Sequence, residues 1–542
     1  MGRWHIVNRM LIKSPSLPVL LLFSLVITIA LSGESGAWQD PLTPVERLGR
    51  SIYHQGRAES GLELFVSFAG VDGELSATLF RCIQCHGIEG KGTEEGGLRV
   101  PPLTPPFLRG SHESRQTGQL RVAYTDQTLA RAITQGIDAV GESLHSGMPR
   151  YHLTDRQAIA VVAYLNKIGT DDDTDPGVTA TTITVGAALP LSGPLASIGQ
   201  DAQSVLDGYL RNVNERGGIY GRQIRLVVED SGQEVSQEAA TERLIKAKQV
   251  FALVGSFESG DTSKAHSLLE RTQVPSIGPL ALSPQLSNPP NPYVFYMLSG
   301  FDIQYRVLLD FLISQSRSLT RQARPRVAIV EPKKTTVLRP VFTQIRRQAI
   351  EFVGEYEYER GALAGAGLVQ RLKQEQVDGI IFVGDGDDFL VLAKALDRLN
   401  LSPMLLAPVG MVGQKALSAP PRLNSKVFLA AALDPPTEYD RDELQKLVGQ
   451  HQVHNFGFSR MAQGAAAMLT ETLMQVGRHV SRNSLVEKIE RFREQETGAG
   501  FSLTFGTQRR IGSVRVRLFR VAPDSSRLIP ATEWMVPQDH HN

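Results

Sequence analysis

The sequence predicts a multidomain chain: a small, mainly α-helical domain followed by a larger two-lobe α/β domain. Three observations carry this. The only two cysteines in 542 residues sit beside a histidine in "CIQCH", residues 82–86. Residues 170–182, "TDDDTDPGVTATT", have linker composition, with Val178 as the single large apolar side chain. Beyond them, short apolar runs alternate with amphipathic helical stretches, and the alternation restarts after about residue 300. At roughly 100–200 residues per domain, the chain exceeds one core.

The totals exclude some partners. There are 57 Lys+Arg against 56 Asp+Glu, so no basic excess recruits nucleic acid or an anionic membrane surface. At the N-terminus, Arg3, Arg9 and Lys13 precede the apolar run "VLLLFSLVITIAL", residues 19–31. These make about 20 Å of helix, short of the roughly 30 Å hydrocarbon core. Ser35 and Ala37 then stand where a signal peptidase cuts before Trp38. Residues 1–37 therefore read as a secretory signal, which implies the periplasm; an uncleaved anchor is the alternative. No cysteine adjoins the site to take a lipid, and no later apolar stretch is long enough to span a membrane.

An exported pair of cysteines raises the prospect of a disulfide. At a spacing of three it would close almost no loop and stabilise little. C-x-x-C-H is instead a haem c attachment signature. One covalent haem c is expected, with Cys82 and Cys85 as thioethers and His86 as the proximal iron ligand. A zinc or redox CxxC is the competing reading, but zinc needs four protein ligands and a second cysteine pair is absent.

An electron-transfer haem takes a second axial ligand, and Met beside His raises the potential. The candidate is Met148 in "HSGMPRYHLTDRQAIAVVAYLNKIG". Thr154 and Gln157 form a capping box, and Ala158, Val161, Val162, Leu165 and Ile168 recur at helical spacing before Gly169. His145 and His152 flank Met148 as alternatives that would give a bis-His haem.

"CIQCHGIEGKG" followed by this segment resembles a monohaem class I-type cytochrome c. The resemblance covers about 130 residues and sets the domain at 38–169. It implies that Met148, ahead of the C-terminal helix, is the distal ligand. The intervening "EEGGLRVPPLTPPFLRG" is Pro-rich and expected to be extended. Residues 38–169 hold 13 basic and 14 acidic side chains, too even to indicate the charge of a redox partner.

In the second domain, "ITVGAALPL" suits a buried strand. The next stretch sets Ala202, Val205, Leu206, Tyr209, Leu210 and Val213 on one helical face and stops at Gly217-Gly218. Strands "QIRLVVED" and "VFALVGS" flank the helical "SQEAATERLIKAKQ". After residue 300 come strand "RVAIVEP", helix "PVFTQIRRQAIEFVG" (340–354), strand "GEYEYER" and helix "AGLVQRLKQEQ". Strand "DGIIFVGDG", helix "DFLVLAKALDRLN" and strand "MLLAPVG" complete the series. Two such lobes imply parallel sheets with a ligand cleft at the C-terminal ends of the strands.

"PLSGPLASIGQDAQSVLDGYLRNVNERGGIYGRQIRLVVED" resembles the opening of periplasmic branched-chain amino-acid-binding proteins, the type I periplasmic-binding-protein fold of ABC importers. "FALVGSFES", "VPSIGPLALSP" and "YMLSGFDIQY" continue it in order. The resemblance sets the domain at 183–536 and implies three interlobe crossings, near Leu298, Val427 and Phe501. Lobe 1 would then be 183–298 with 428–500, and lobe 2 would be 299–427 with 501–536. It also implies that Ser192, Ser256 and Ser259 lie at the cleft, with Ser259 where a serine holds a ligand carboxylate. Two positions depart from the family: Leu282 in "GPLAL" replaces a threonine, and Val409 in "LAPVG" replaces the acid that grips an amino group. A buried ammonium without a carboxylate is costly, so a ligand less polar than an α-amino acid is expected. Asp385, Asp387 and Asp388 in "GDGDDF" end a strand at the cleft and are the acids on hand, a solvated loop being the plain alternative. His266, His451, His454 and His479 are scattered and read as surface positions.

No hydrolase or dehydrogenase set appears, so the chain reads as an electron carrier and ligand-binding protein rather than an enzyme. A small-molecule ligand is expected, together with a redox partner protein, either a periplasmic dehydrogenase or another cytochrome. The second reading is the solute-binding component of an ABC importer, docking to its membrane subunits, with the cytochrome as an accessory. A haem peroxidase is the third, and Met148 argues against its open iron.

Overall fold

A computed structural model describes residues 42–58, 63–95, 98–113, 120–170, 173–232, 235–319, 324–333, 350–363, 366–497, 501–524 and 527–537. The signal expected over 1–37 and most of the helix expected over 340–354 lie outside them. Among the described residues, no helix is long and apolar enough to cross a membrane.

The N-terminal domain opens with helix α1 (Pro44–Gln55), whose capping box joins Thr43 and Glu46: the Glu46 carboxylate accepts the Thr43 N–H at 2.6 Å. Then come α2 (Cys82–His86), α3 (Pro105–Arg109), α4 (Asp126–Gln135) and α5 (Asp155–Leu165). Helix α5 starts at the expected box of Thr154 and Gln157; Ala158, Val161, Val162 and Leu165 are buried on it, and Ile168 is buried just beyond its end. Helices α1 and α5 cross at Gly49, where a Cβ would stand 1.9 Å from the Ala160 carbonyl oxygen. Only glycine admits that approach. Strands β1 (Phe65–Ser67), β2 (Leu75–Ser76) and β3 (Arg150–Tyr151) form a small antiparallel sheet.

The second domain alternates as expected. Its first lobe holds β4 (Thr182–Leu189), α6 (Ala196–Glu215), β5 (Gln223–Asp230), α7 (Gln237–Lys246), β6 (Ala252–Val254) and β7 (Phe257–Glu258). It continues with α8 (Ser263–Thr272), β8 (Ser276–Ile277), β9 (Leu280–Ala281) and β10 (Val294–Leu298). The chain then crosses to α9 (Phe301–Leu319), β11 (Arg326–Pro332), β12 (Glu351–Tyr358), α10 (Ala366–Gln374) and β13 (Gly379–Phe382). After these come α11 (Gly386–Arg398), β14 (Met404–Pro408) and β15 (Val427–Ala431). Residues Glu351 to Gly354, expected at the end of a helix, open strand β12 instead, carried by its parallel pairing with β11.

The chain returns to lobe 1 through α12 (Glu438–Val448), α13 (Phe456–Val476), α14 (Arg482–Glu490), the hairpin β16 (Gln495–Thr497) and β17 (Phe501–Leu503), and β18 (Ile511–Ser513). Strands β19 (Arg517–Val521) and β20 (Leu528–Pro530) finish in lobe 2. The strand order is β18-β10-β8-β6-β4-β5 in one sheet and β12-β11-β13-β14-β15-β19-β20 in the other. Two crossings therefore move from their expected places. Strand β15 pairs with β14, so lobe 2 keeps the chain past Val427 to Ala431. Strand β18 pairs with β10, so lobe 1 keeps it past Phe501 to Ser513. The first and third crossings run side by side, the Ser299 N–H donating to the Ser513 carbonyl at 3.0 Å.

The expected extended, solvated linker is not what the structure holds. Asp173 and Asp175 are buried against Arg50 of α1, and the Asp175 carboxylate also accepts the Arg482 N–H at 2.5 Å. Charge here does not extend the chain; it is paired, and it seats the N-terminal domain on lobe 1.

Candidate functional site

Helix α2 places Cys82 and Cys85 about one turn apart, and they are not bonded to each other. The His86 ring is buried, and its Nδ1 meets the Pro101 carbonyl at 2.9 Å. That contact fixes the ring with Nε2 as the free ligating nitrogen, the outer-shell arrangement a metal-binding histidine needs. Burial lowers the His86 pKa, against the opposing pull of the Pro101 contact, so the imidazole is neutral and able to ligate. In the same domain, Phe80, Ile83, Leu103, Phe107, Leu144 and Leu153 are partly buried apolar side chains packed on the core. These residues fit a covalent haem.

Met148 stands in the loop before β3, its N–H on the His145 carbonyl at 3.0 Å and its carbonyl held by Arg150. Of the two rival histidines, one is fully engaged. His152 has both ring nitrogens occupied, Nε2 with Ser67 Oγ and Nδ1 with Glu74, each at 3.0 Å. His145 has its Nδ1 on its own loop, accepting the Gly147 N–H at 3.1 Å, so its Nε2 stays available and His145 remains the rival to Met148.

The second site lies at the C-terminal ends of the parallel strands. In the β7–β9 pair Glu258 stands opposite Ala281, so the next residues, Ser259 and Leu282, emerge side by side, both exposed. The Leu282 carbonyl accepts the Phe301 N–H at 2.9 Å as the chain leaves lobe 1. The Phe301 ring in turn covers Gly410, where a Cβ would sit 3.2 Å from it, next to Val409 of lobe 2. Phe301 thus bridges the end of β9 in lobe 1 and the Val409–Gly410 segment of lobe 2. Phe301 is absent from the sequence reading; its signal was its place just after the predicted crossing at Leu298.

The other candidates serve the scaffold. Ser256 is buried, its Oγ accepting the Ala188 N–H at 3.1 Å to close the end of β4. Ser192 is bound to the Asp230 carboxylate and helps hold its pKa low against the burial that raises it. Asp385 caps α11, accepting the N–H groups of Asp387 and Asp388 at 3.0 Å. Asp387 pairs with Lys415, and the buried Asp388 braces the Gly361 N–H. In "GDGDDF" Asp385 is thus the helix cap, while Asp387 and Asp388 have Lys415 and Gly361 as partners. Two histidines also differ from expectation. His266 is buried, with Nε2 3.0 Å from Glu258, whose other oxygen accepts the Tyr296 hydroxyl at 2.5 Å. This triad anchors the end of β7, directly before Ser259. His451 stands 2.7 Å from the fully buried Asp201, which also accepts the His454 N–H.

Comparison with known proteins follows this division. Residues 182–526 match the family model for periplasmic binding proteins, and residues 74–169 match that for cytochrome c. A Leu/Ile/Val-binding protein of Rhizobium johnstonii is 24% identical over 240 residues, 42% of this chain and 62% of that protein. An amino acid binding protein of Pseudomonas aeruginosa is 23% identical over 234 residues, 42% of this chain and 61% of its own length. The matched region thus spans less than two thirds of these relatives. Among solved structures, a fatty acid ABC transporter substrate-binding protein from Thermomonospora curvata superposes with a TM-score of 0.53 at 18% identity. It covers 68% of this chain and 95% of its own. A branched-chain amino acid ABC transporter protein from Thermus thermophilus with bound valine gives 0.51 at 19% identity, covering 66% and 96%.

Proposed function

The chain belongs to the periplasmic binding protein family and carries a cytochrome c domain ahead of the binding fold, and from that premise we propose that it is a periplasmic haem c electron carrier built onto a small-molecule-binding module. Cys82 and Cys85 would hold one haem through their thiols, and His86 and Met148 would ligate its iron. The haem supplies a one-electron carrier when bound; the chain supplies ligation and a fixed orientation. The observation that carries this reading is the His86 contact with the Pro101 carbonyl, which presents a neutral imidazole beside two unpaired cysteines. Leu282 and Val409, apolar at the strand ends of the two lobes, suit a small ligand without a buried ammonium, such as an apolar monocarboxylate. Ligand binding sets how readily a periplasmic dehydrogenase or another cytochrome exchanges electrons with the haem.

Expression with haem c maturation machinery tests this. The protein should gain the mass of one haem that resists acid–acetone extraction, and Cys82→Ala with Cys85→Ala should abolish that gain. Extractable haem, or none, overturns the reading.

A second reading, a solute-binding component of an ABC importer, is favoured by the match over residues 182–526 to a family that includes importer proteins. Uptake of a solute that fails without this chain but survives the double cysteine substitution would support it over electron transfer.

A further inference from the structure

Helix α14 touches both the haem-attachment segment and Arg510, which leads into β18, the last lobe 1 strand before the third interlobe crossing. Its first turn is fixed to the cytochrome domain: the Arg482 N–H donates to Asp175, and Gln55 donates to Asn483 Oδ1 at 2.7 Å. The Arg482 guanidinium is spent on lobe 1, donating to the carbonyls of Val250 at 2.8 Å and Phe251 at 2.9 Å. In mid-helix Glu487 accepts from Arg81 at 2.8 Å, and Arg81 is the residue directly before Cys82. One turn on, Glu490 accepts from Arg510 at 2.6 Å. The Arg510 side chain is 2% exposed and lies over the Phe295 ring, 4.5 Å from its centroid. Its Nε and Nη1 have no hydrogen-bond partner, so Glu490 is the group that positions it. Strand β18 begins at the next residue, and after Ser513 the chain passes into lobe 2.

We propose that α14 is a rigid bracket linking the state of the haem-attachment segment to the interlobe crossing, with Arg81–Glu487 as one end and Glu490–Arg510 as the other. This deepens the proposed function and rests on its reading that α2 carries a haem. Glu487 and Glu490 share a helix face at spacing i, i+3, so a shift of one arginine is passed along a single packed element. Lobe closure bends residues 514–516, moves β18 and pulls Arg510. In the other direction, one electron added to the iron removes one positive charge beside Arg81 and changes its balance with Glu487. Linkage requires the two directions to be reciprocal.

Reciprocity allows a test without a known ligand. Hydrogen exchange is followed by mass spectrometry on the full haem-loaded protein, oxidised with ferricyanide or reduced with dithionite. Exchange over residues 508–516 should differ severalfold between the two states while α4 is unchanged. Glu490→Gln should erase that difference and leave the visible spectra as in wild type. Equal exchange at 508–516 in a wild type whose haem cycles overturns the bracket alone. A chain with no redox-switchable haem spectrum overturns the underlying reading as well.

Discussion

Asp175 accepts the main-chain N–H of Arg482 at 2.5 Å, joining residues 307 positions apart. The same carboxylate pairs with Arg50, and its pKa is lowered because Arg50 and Arg482 together outweigh the burial that would raise it. A buried carboxylate between two cations is where the domains are fastened. Removing one partner of such a pair costs about 3–5 kcal/mol, since the others are left buried and uncompensated. Asp175→Ala should uncouple the domains, and calorimetry should resolve two unfolding transitions where wild type shows more cooperative melting.

Beside that junction, two groups give opposite pH slopes through one hydroxyl. His54 Nε2 lies 2.9 Å from the Tyr164 oxygen, and Tyr164 donates to Asp173 at 3.0 Å. Burial, aided by Arg50, holds the His54 pKa down to about 3, so its contribution to stability is full above about 6.5 and is lost as pH falls. Burial also pushes Asp173 up to about 6 against Arg50, so its ionisation costs stability above that pH and the cost fades below it. In denaturant titrations between pH 4 and 7, His54→Gln should flatten the acid-side loss and Asp173→Asn should steepen it.

The crossing of α1 and α5 leaves no room for a side chain at Gly49. A Cβ 1.9 Å from the Ala160 oxygen must push two helix backbones apart. Gly49→Ala should cost at least the roughly 1–3 kcal/mol of an overpacked core, read as a lower midpoint for the cytochrome-domain transition.

The cleft should refuse branched-chain amino acids. Leucine and valine should not raise the melting temperature of wild type at micromolar concentration, whereas an apolar monocarboxylate should. A ligand at 100 times its Kd adds about 2.7 kcal/mol, well within reach of a thermal shift. Stabilisation by leucine would show that Val409 is no obstacle.

Local pattern was enough for much of this molecule. The CIQCH run, the box of Thr154 and Gln157 and the alternation of strand and helix each lie within one element, so neighbouring residues reveal them. The failures are long-range. A stretch of aspartates, Thr, Pro and Gly has one composition whether solvated or buried, and what decided it were Arg50 and Arg482, 125 and 307 residues from Asp175. His266 read as a surface residue because Tyr296, the third member of its triad, is 30 positions away. Asp385 is different: an aspartate at a strand-to-helix junction is a cap signal, and it was legible locally.

The most direct measurement is the visible spectrum of the oxidised and reduced haem-loaded protein, for wild type and Met148→Ala. Wild type should be low-spin and six-coordinate, with the long-wavelength Met-to-iron charge-transfer band in its oxidised form, and the substitution should remove that band. A high-spin wild type with an open iron position would contradict the electron-carrier reading and return the enzyme reading to the front.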